Sequence, residues 1–176
     1  QPYDFAGHAK RGPQLNPPYD IPVDNNPVGS YRKKFMVPKA WDGRQVFIHL
    51  GAVKSAFFIW VNGEKVGYSE DSKLAAEFDI TKYIKSGENL VALQVYRWSD
   101  ASWLEDQDFW RLSGIFRDVY LYSTPVTHIA DFKVTTELDE AFLSAELLIQ
   151  AKVTNYDGLG TGTRRVEAVL YDREQL

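Results

Sequence analysis

The segment Trp103–Val119 contains the residues of this chain that are best suited to binding chemistry. Its seventeen residues include two tryptophans, two arginines and, at Glu105, Asp106 and Asp108, three closely spaced carboxylates. Charge in a partly buried segment is costly unless it is paired or coordinates an ion. The composition therefore predicts a shaped polar site with aromatic walls.

The three carboxylates permit more than one chemistry. Two carboxylates that flank a glycosidic bond can hydrolyse it. In an extended segment, however, Glu105 and Asp106 point to opposite faces, and no second acidic residue is evidently aimed at the same point. This disfavours catalysis here and leaves two interpretations open. One is an oxygen-ligand cation site, and the other is ion pairing with Arg97, Arg111 and Arg117.

The tryptophans indicate how a sugar could bind, because an aromatic ring suits the apolar C–H face of a sugar. Trp98, Trp103 and Trp110 lie in or near the polar segment, and Trp103 is the best candidate for a partly exposed stacking platform. Trp60 lies inside an apolar run, so we predict that it fills the core.

Composition excludes several classes of function. The net charge is −4 with both signs interspersed, which argues against nucleic acid or an anionic membrane as partner. No apolar run is long enough to span a membrane. The absence of cysteine excludes disulfides, Cys-based zinc sites and thiol catalysis. His8, His49 and His128 are far apart, and His49 is expected to be an ordinary surface residue.

The first residue is Gln1, so we expect an excised or processed piece of a longer protein. A cytoplasmic location is expected, and the lack of cysteine is also compatible with a periplasmic one.

Short apolar runs separated by Gly, Asn and Pro predict an all-β domain between residues 29 and 124. Phe57–Val61 is nearly continuous, and Asn62-Gly63 after it favours a type I′ hairpin because both positions need a positive φ. Residues 79–83 predict one helical turn, and no helix of ten residues or more is expected. Short strands at regular spacing are typical of a β-sandwich or jelly roll.

The flanking regions differ from this domain. Residues 1–28 are rich in Pro, Gly, Asn and Asp, which predicts an extended arm. Residues 125–176 contain three longer strand patterns, the last at Arg165–Tyr171, and are predicted to begin a second β-sandwich.

With these residues in view, the chain resembles the N-terminal part of bacterial β-galactosidases of glycoside hydrolase family 2. The resemblance rests on a set of motifs spread along the chain, which are Asn26–Tyr31, Ser55–Gly63, Val66–Ser72, Glu77–Asp79 and Trp103–Val119. The Leu104–Asp108 motif, Leu-Glu-Asp-Gln-Asp, points to the β-galactosidase branch.

The resemblance implies a galactose-binding-like jelly roll followed by a partial immunoglobulin-like sandwich. It implies retaining hydrolysis of terminal non-reducing β-D-galactosides. The catalytic carboxylates would lie on a barrel outside this chain, so none of its residues is catalytic and the chain alone would be inactive. By position, Asn26 would contact the sugar. Asp108 would bind a sodium ion and contact the galactose 6-hydroxyl.

The resemblance also implies a magnesium ion in the full enzyme, with ligands outside this chain, and a homo-oligomer. Two other functions stay open. One is a non-catalytic carbohydrate-binding module, in which Trp103 is the platform and Asp106 or Asp108 holds a structural cation. The other is a scaffold domain for subunit assembly.

Overall fold

The computed structural model describes residues 21, 25–105, 112–158 and 163–171, with Trp103 described by its backbone alone. The chain divides into two compact units, residues 1–125 and 126–176. No helix in the described ranges has the length and apolar character needed to cross a membrane.

The described residues of unit 1 form nine strands. They are β1 (Val28–Met36), β2 (Gln45–Leu50), β3 (Val53–Lys54), β4 (Ala56–Val61), β5 (Glu64–Glu70), β6 (Ala76–Asp79), β7 (Glu88–Tyr96), β8 (Gly114–Ile115) and β9 (Val119–Thr124). Helical structure in the described part is limited to 3₁₀ turns at Lys39–Trp41 and Thr81–Tyr83 and to the four-residue helix α1 (Ala101–Leu104). The turn predicted at residues 79–83 is therefore present.

Two antiparallel sheets form the sandwich of unit 1. One has the strand order β1-β7-β4-β5 and the other the order β6-β2-β9, while β3 pairs with β8. Alternate residues of β2 and β7 are buried, as expected for strands with one face on a core. The core combines apolar side chains of both sheets, chiefly Val46, Ile48, Leu50, Phe57, Ile59, Val61, Val91, Leu93 and Val95. The all-β sandwich predicted from the sequence is confirmed.

The Asn62-Gly63 hairpin is also confirmed. Both residues have positive φ, 52° and 89°, and they join β4 to β5 with Val61 opposite Glu64. The left-handed conformation at both positions matches the twist of the two strands. The side chain of Asn62 reaches beyond the turn and donates to the carbonyl of Tyr83 at 2.9 Å.

The prediction that Trp60 fills the core is wrong. Phe57, Ile59 and Val61 are buried, whereas Phe58 and Trp60 are only half-buried on the opposite face of β4. Successive residues of a strand point to opposite faces, and the core takes the odd-numbered positions of this strand. The apolar run thus has one face in the core and an aromatic outer face.

In unit 2 the described residues form one antiparallel pair, β10 (Thr127–Leu138) with β11 (Ala145–Asn155). Residues 165–171, predicted to be a strand, are not one in the structure. A strand needs a hydrogen-bonded neighbour to satisfy its backbone. The described part of unit 2 pairs no strand with this segment, and it is exposed.

Candidate functional site

Asn26 is held by the backbone of Trp98, seventy-two residues further along the chain. Its Nδ2 donates to the carbonyl of Trp98 at 2.9 Å, and its Oδ1 accepts from the Trp98 N–H at 2.9 Å. Both residues flank the antiparallel pair of β1 and β7, in which Val28 lies opposite Tyr96. An amide has two donor hydrogens and two acceptor lone pairs. One of each therefore stays available to a ligand while the side chain is fixed in orientation.

A shallow hollow of about 530 Å³ lies beside Asn26 on the outer face of the larger sheet. Its walls are mainly aromatic, and its lining includes Ile21, Asn26, Ala56, Phe58, Tyr68, Tyr96, Trp98, Ser99 and Asp100. The rings contact one another, with centroids 4.8 Å apart for Phe58 and Tyr68 and 6.1 Å apart for Phe58 and Tyr96. An aromatic hollow with a few polar groups is the usual composition of a sugar site.

The polar groups of the hollow are mostly engaged. The Tyr68 hydroxyl donates to Glu70 Oε2 at 2.5 Å. Burial, this hydrogen bond and the charges of Glu70 and Asp100 together raise the pKa of Tyr68 well above its ordinary value. The Ser99 hydroxyl donates to Ser55 Oγ at 3.0 Å. Tyr68 therefore remains a neutral phenol throughout the physiological pH range.

Two cations cover aromatic walls of the hollow. The Lys65 Nζ lies 4.1 Å from the centroid of the Phe58 ring. The Arg97 guanidinium lies 5.1 Å from the Trp98 ring. Such cation–π contacts are attractive and help to hold the Phe58 and Trp98 rings in these positions.

The segment after Trp98 is tied down at both ends of α1. The Ser99 N–H donates to the Ser102 hydroxyl at 3.0 Å. Beyond the helix, both oxygens of the Glu105 carboxylate accept from the Ser72 N–H at 3.0 Å. Glu105 thus joins this segment to the end of β5. This contact corresponds to neither of the two predicted roles, cation ligand or partner of an arginine.

Asp106, Asp108, Trp110 and Arg111 lie outside the described residues, as does the side chain of Trp103. Arg117 is described and donates to the carbonyl of Lys73 at 3.1 Å. Of the predicted sugar contacts, the structure therefore locates Asn26.

No metal centre is formed by the described ranges, which contain no group of three or more His, Asp or Glu side chains that could hold an ion. His49 was expected to be an ordinary surface residue, but its side chain is only 19% exposed. Its ring stacks on Tyr120 at 4.5 Å, and its Nδ1 lies 2.8 Å from Glu77 Oε1. Cross-strand neighbours on β6 and β9 enclose it.

Phe58, Tyr68, Tyr96 and Asp100 are the residues of the hollow that sequence reasoning missed. The sequence did contain a signal for Phe58, because this residue occupies an even-numbered position of β4 and strand alternation places it outside the core. Tyr68 and Tyr96 lie opposite Phe58 and Ala56 respectively on neighbouring strands. Their proximity depends on strand register, which cannot be read from the sequence alone.

Comparison with known proteins gives consistent results. Residues 13–125 match the family model "Glycosyl hydrolases family 2, sugar binding domain". A β-galactosidase of Priestia megaterium is 54% identical over 90% of this chain, and one of Clostridium acetobutylicum is 47% identical over 98%. The chain spans 15% and 18% of the lengths of those two relatives.

Solved structures extend the likeness beyond β-galactosidases. β-Glucuronidase 2 of Bacteroides uniformis is similar with a TM-score of 0.66 at 26% identity, over 78% of this chain and 17% of that one. The β-D-glucuronidase of Dictyoglomus thermophilum gives 0.62 at 28% identity, over 72% and 25%. The family match, the two close relatives and the shared fold agree, and the chain belongs to glycoside hydrolase family 2, whose sugar-binding domain it contains.

Proposed function

We propose that this chain is the N-terminal portion of a β-galactosidase that hydrolyses terminal non-reducing β-D-galactosides with retention. The observation that carries the proposal is the 54% and 47% identity with two β-galactosidases over nearly the whole chain. The described helices are at most four residues long, so the proposed (β/α)₈ barrel and its catalytic carboxylates belong to other parts of the protein.

In this proposal Asn26 is a sugar ligand. Its clamp on Trp98 leaves one N–H and one lone pair for sugar hydroxyls. A side chain that is already fixed loses little conformational entropy when the ligand binds. Geometry therefore supports a preorganised contact at this position.

Asp108 is proposed to bind a sodium ion and to contact the galactose 6-hydroxyl. A carboxylate is a suitable ligand for a hard cation, and the remaining ligands would come from outside the described residues. A magnesium ion with ligands elsewhere in the full enzyme, and assembly into a homo-oligomer, complete the proposal.

The test compares the full-length protein that carries this chain with the chain by itself. Both are assayed on 4-nitrophenyl β-D-galactoside, β-D-glucuronide and β-D-mannoside, with and without sodium. We expect galactoside turnover by the full-length protein alone, stimulated by sodium. Turnover by the chain alone, or preference for another sugar, would contradict the proposal.

Substitutions then test the two assigned residues. Asn26→Ala should lower kcat/KM for the galactoside by about tenfold to a hundredfold, because a hydrogen-bonded sugar hydroxyl loses its partner. Asp108→Ala should abolish the stimulation by sodium. Asn25→Ala, a change of the same size at an exposed neighbour, should leave kcat/KM within twofold of the unmodified enzyme.

A second candidate function is a non-catalytic carbohydrate-binding module. The aromatic hollow favours it, because aromatic surfaces also bind sugars without catalysis. Calorimetric titration of the isolated chain with galactose and lactose distinguishes the two. Sodium-independent binding that Trp103→Ala abolishes, together with an inactive full-length protein, would favour the module.

A further inference from the structure

Asp100 is the one charged side chain among the residues that line the hollow. Asn26 is bonded to Trp98, Tyr68 to Glu70 and Ser99 to Ser55. Asp100 also lines the hollow and is exposed. In the part of the chain that the structure describes, no hydrogen bond or ion pair engages its carboxylate.

The backbone of Asp100 is nevertheless well placed. Its carbonyl accepts from the Leu104 N–H at 3.0 Å, in the first turn of α1. It follows Ser99, which is buried and bonded to Ser55. The backbone of Asp100 is thus hydrogen-bonded within α1 while the residue remains exposed at the hollow.

An ionised carboxylate only accepts hydrogen bonds, and its two oxygens can accept from neighbouring hydroxyls of one sugar. The aromatic walls would take the apolar face of the same ring. We propose that Asp100 is a second sugar-contacting residue beside Asn26, which accepts hydroxyl hydrogens of a neutral galactoside and disfavours sugars that carry a carboxylate. This inference rests on the proposed function.

The relatives show why charge is a reasonable basis for selection. Proteins named β-glucuronidases share this fold at 26% and 28% identity, so the fold does not by itself distinguish neutral from acidic sugars. The two cations near the hollow, Lys65 and Arg97, lie against ring faces of Phe58 and Trp98 and are not among its lining residues. Among the lining residues, Asp100 carries the formal charge, and that charge is negative.

The experiment uses the full-length protein and two substrates that differ only at C6, 4-nitrophenyl β-D-galactoside and 4-nitrophenyl β-D-galacturonide. Asp100→Asn keeps the shape and an acceptor oxygen but removes the charge. We expect the ratio of kcat/KM for galacturonide over galactoside to rise about tenfold at 10 mM salt, where screening is weak. The gain should shrink in 1 M salt, where the Debye length is about 3 Å.

Asp100→Ala removes the acceptor as well, so it should also raise KM for the galactoside about tenfold. Glu64→Gln is the matched control, because it removes the same charge from an exposed position at the far end of β5. Glu64 lies about 20 Å along the strand from Glu70, the residue that contacts Tyr68 in the hollow. This control should leave the ratio unchanged. Where galacturonide turnover is below detection, the inhibition constants of galactose and galacturonate compare the affinities for the neutral and the acidic sugar instead, and their ratio should shift in the same direction.

Unchanged ratios and an unchanged galactoside KM in both Asp100 variants would overturn this inference and leave the proposed function intact. A full-length protein without galactoside hydrolysis would overturn both. An equal change in Glu64→Gln would assign the effect to net charge and not to Asp100.

Discussion

Asn89 provides a sharp test of how unit 1 is held together, because its buried side chain makes four hydrogen bonds. It is only 1% exposed. Its Oδ1 accepts from Asn62 Nδ2 at 2.7 Å and from the Lys85 N–H at 2.9 Å. Its Nδ2 donates to the carbonyls of Lys85 and Gly87 at 2.9 and 3.0 Å. The residue thus joins the start of β7, the preceding turn and the β4–β5 hairpin.

Asn89→Ala removes all four bonds. A typical hydrogen bond contributes about 1 kcal/mol net, and a buried group left without a partner costs about 1–3 kcal/mol. Lys85 is exposed, so water can satisfy part of the loss. We therefore expect the free energy of unfolding to fall by about 3 kcal/mol, which for a unit of this size lowers Tm by roughly 10 °C.

Urea denaturation followed by tryptophan fluorescence measures this change. All five tryptophans precede residue 125, so the signal reports unit 1. Asn89→Asp keeps the Oδ1 acceptor but loses both donor hydrogens of Nδ2, and should destabilise by a similar amount. Asn25→Ala, at an exposed position, is the control. A loss below about 0.5 kcal/mol for Asn89→Ala would refute the reasoning.

Two further predictions concern other parts of the chain. Gly67→Ala should destabilise unit 1 by about 1–3 kcal/mol, since the added Cβ would lie 2.5 Å from the Phe78 ring. Urea denaturation should show that a second substitution, Phe78→Leu, restores part of this loss. If the losses of stability of the two single variants simply add in the double variant, the proposed clash is contradicted. In unit 2, hydrogen bonds from the Ser144 hydroxyl and the Leu143 N–H lower the pKa of Asp139. These bonds stabilise the β10–β11 turn above the ordinary carboxyl pKa and are lost as pH falls through the lowered value. NMR titration should show that Ser144→Ala raises the Asp139 pKa, and an unchanged pKa would contradict this assignment.

Much of the fold of unit 1 was predictable because local rules dominate there. Alternating apolar residues mark β2 and β7, since one face of each strand must leave water. Asn62-Gly63 specifies its own hairpin, because few other residues adopt positive φ at both positions. These signals depend on residues close together in the chain.

Where local rules did not decide, prediction was incomplete. Trp60 was expected in the core because it is apolar, yet strand alternation places it on the outer face. Residues 165–171 carry a strand pattern but are not a strand, because no strand among the described residues pairs with them. A pattern can predict what an element would be, but not whether its partner is present.

The sequence alone determined the family and the all-β architecture, since motifs and strand periodicity depend on residues close together in the chain. The resemblance to that family also suggested Asn26 as a candidate sugar ligand. The tertiary structure decided which residues far apart in the chain meet. It set the clamp on Trp98 seventy-two residues away, the tie of Glu105 to Ser72 and the exposed carboxylate of Asp100 in the hollow. These contacts depend on strand order and register, which arise from packing two sheets on one core and not from any short stretch of residues.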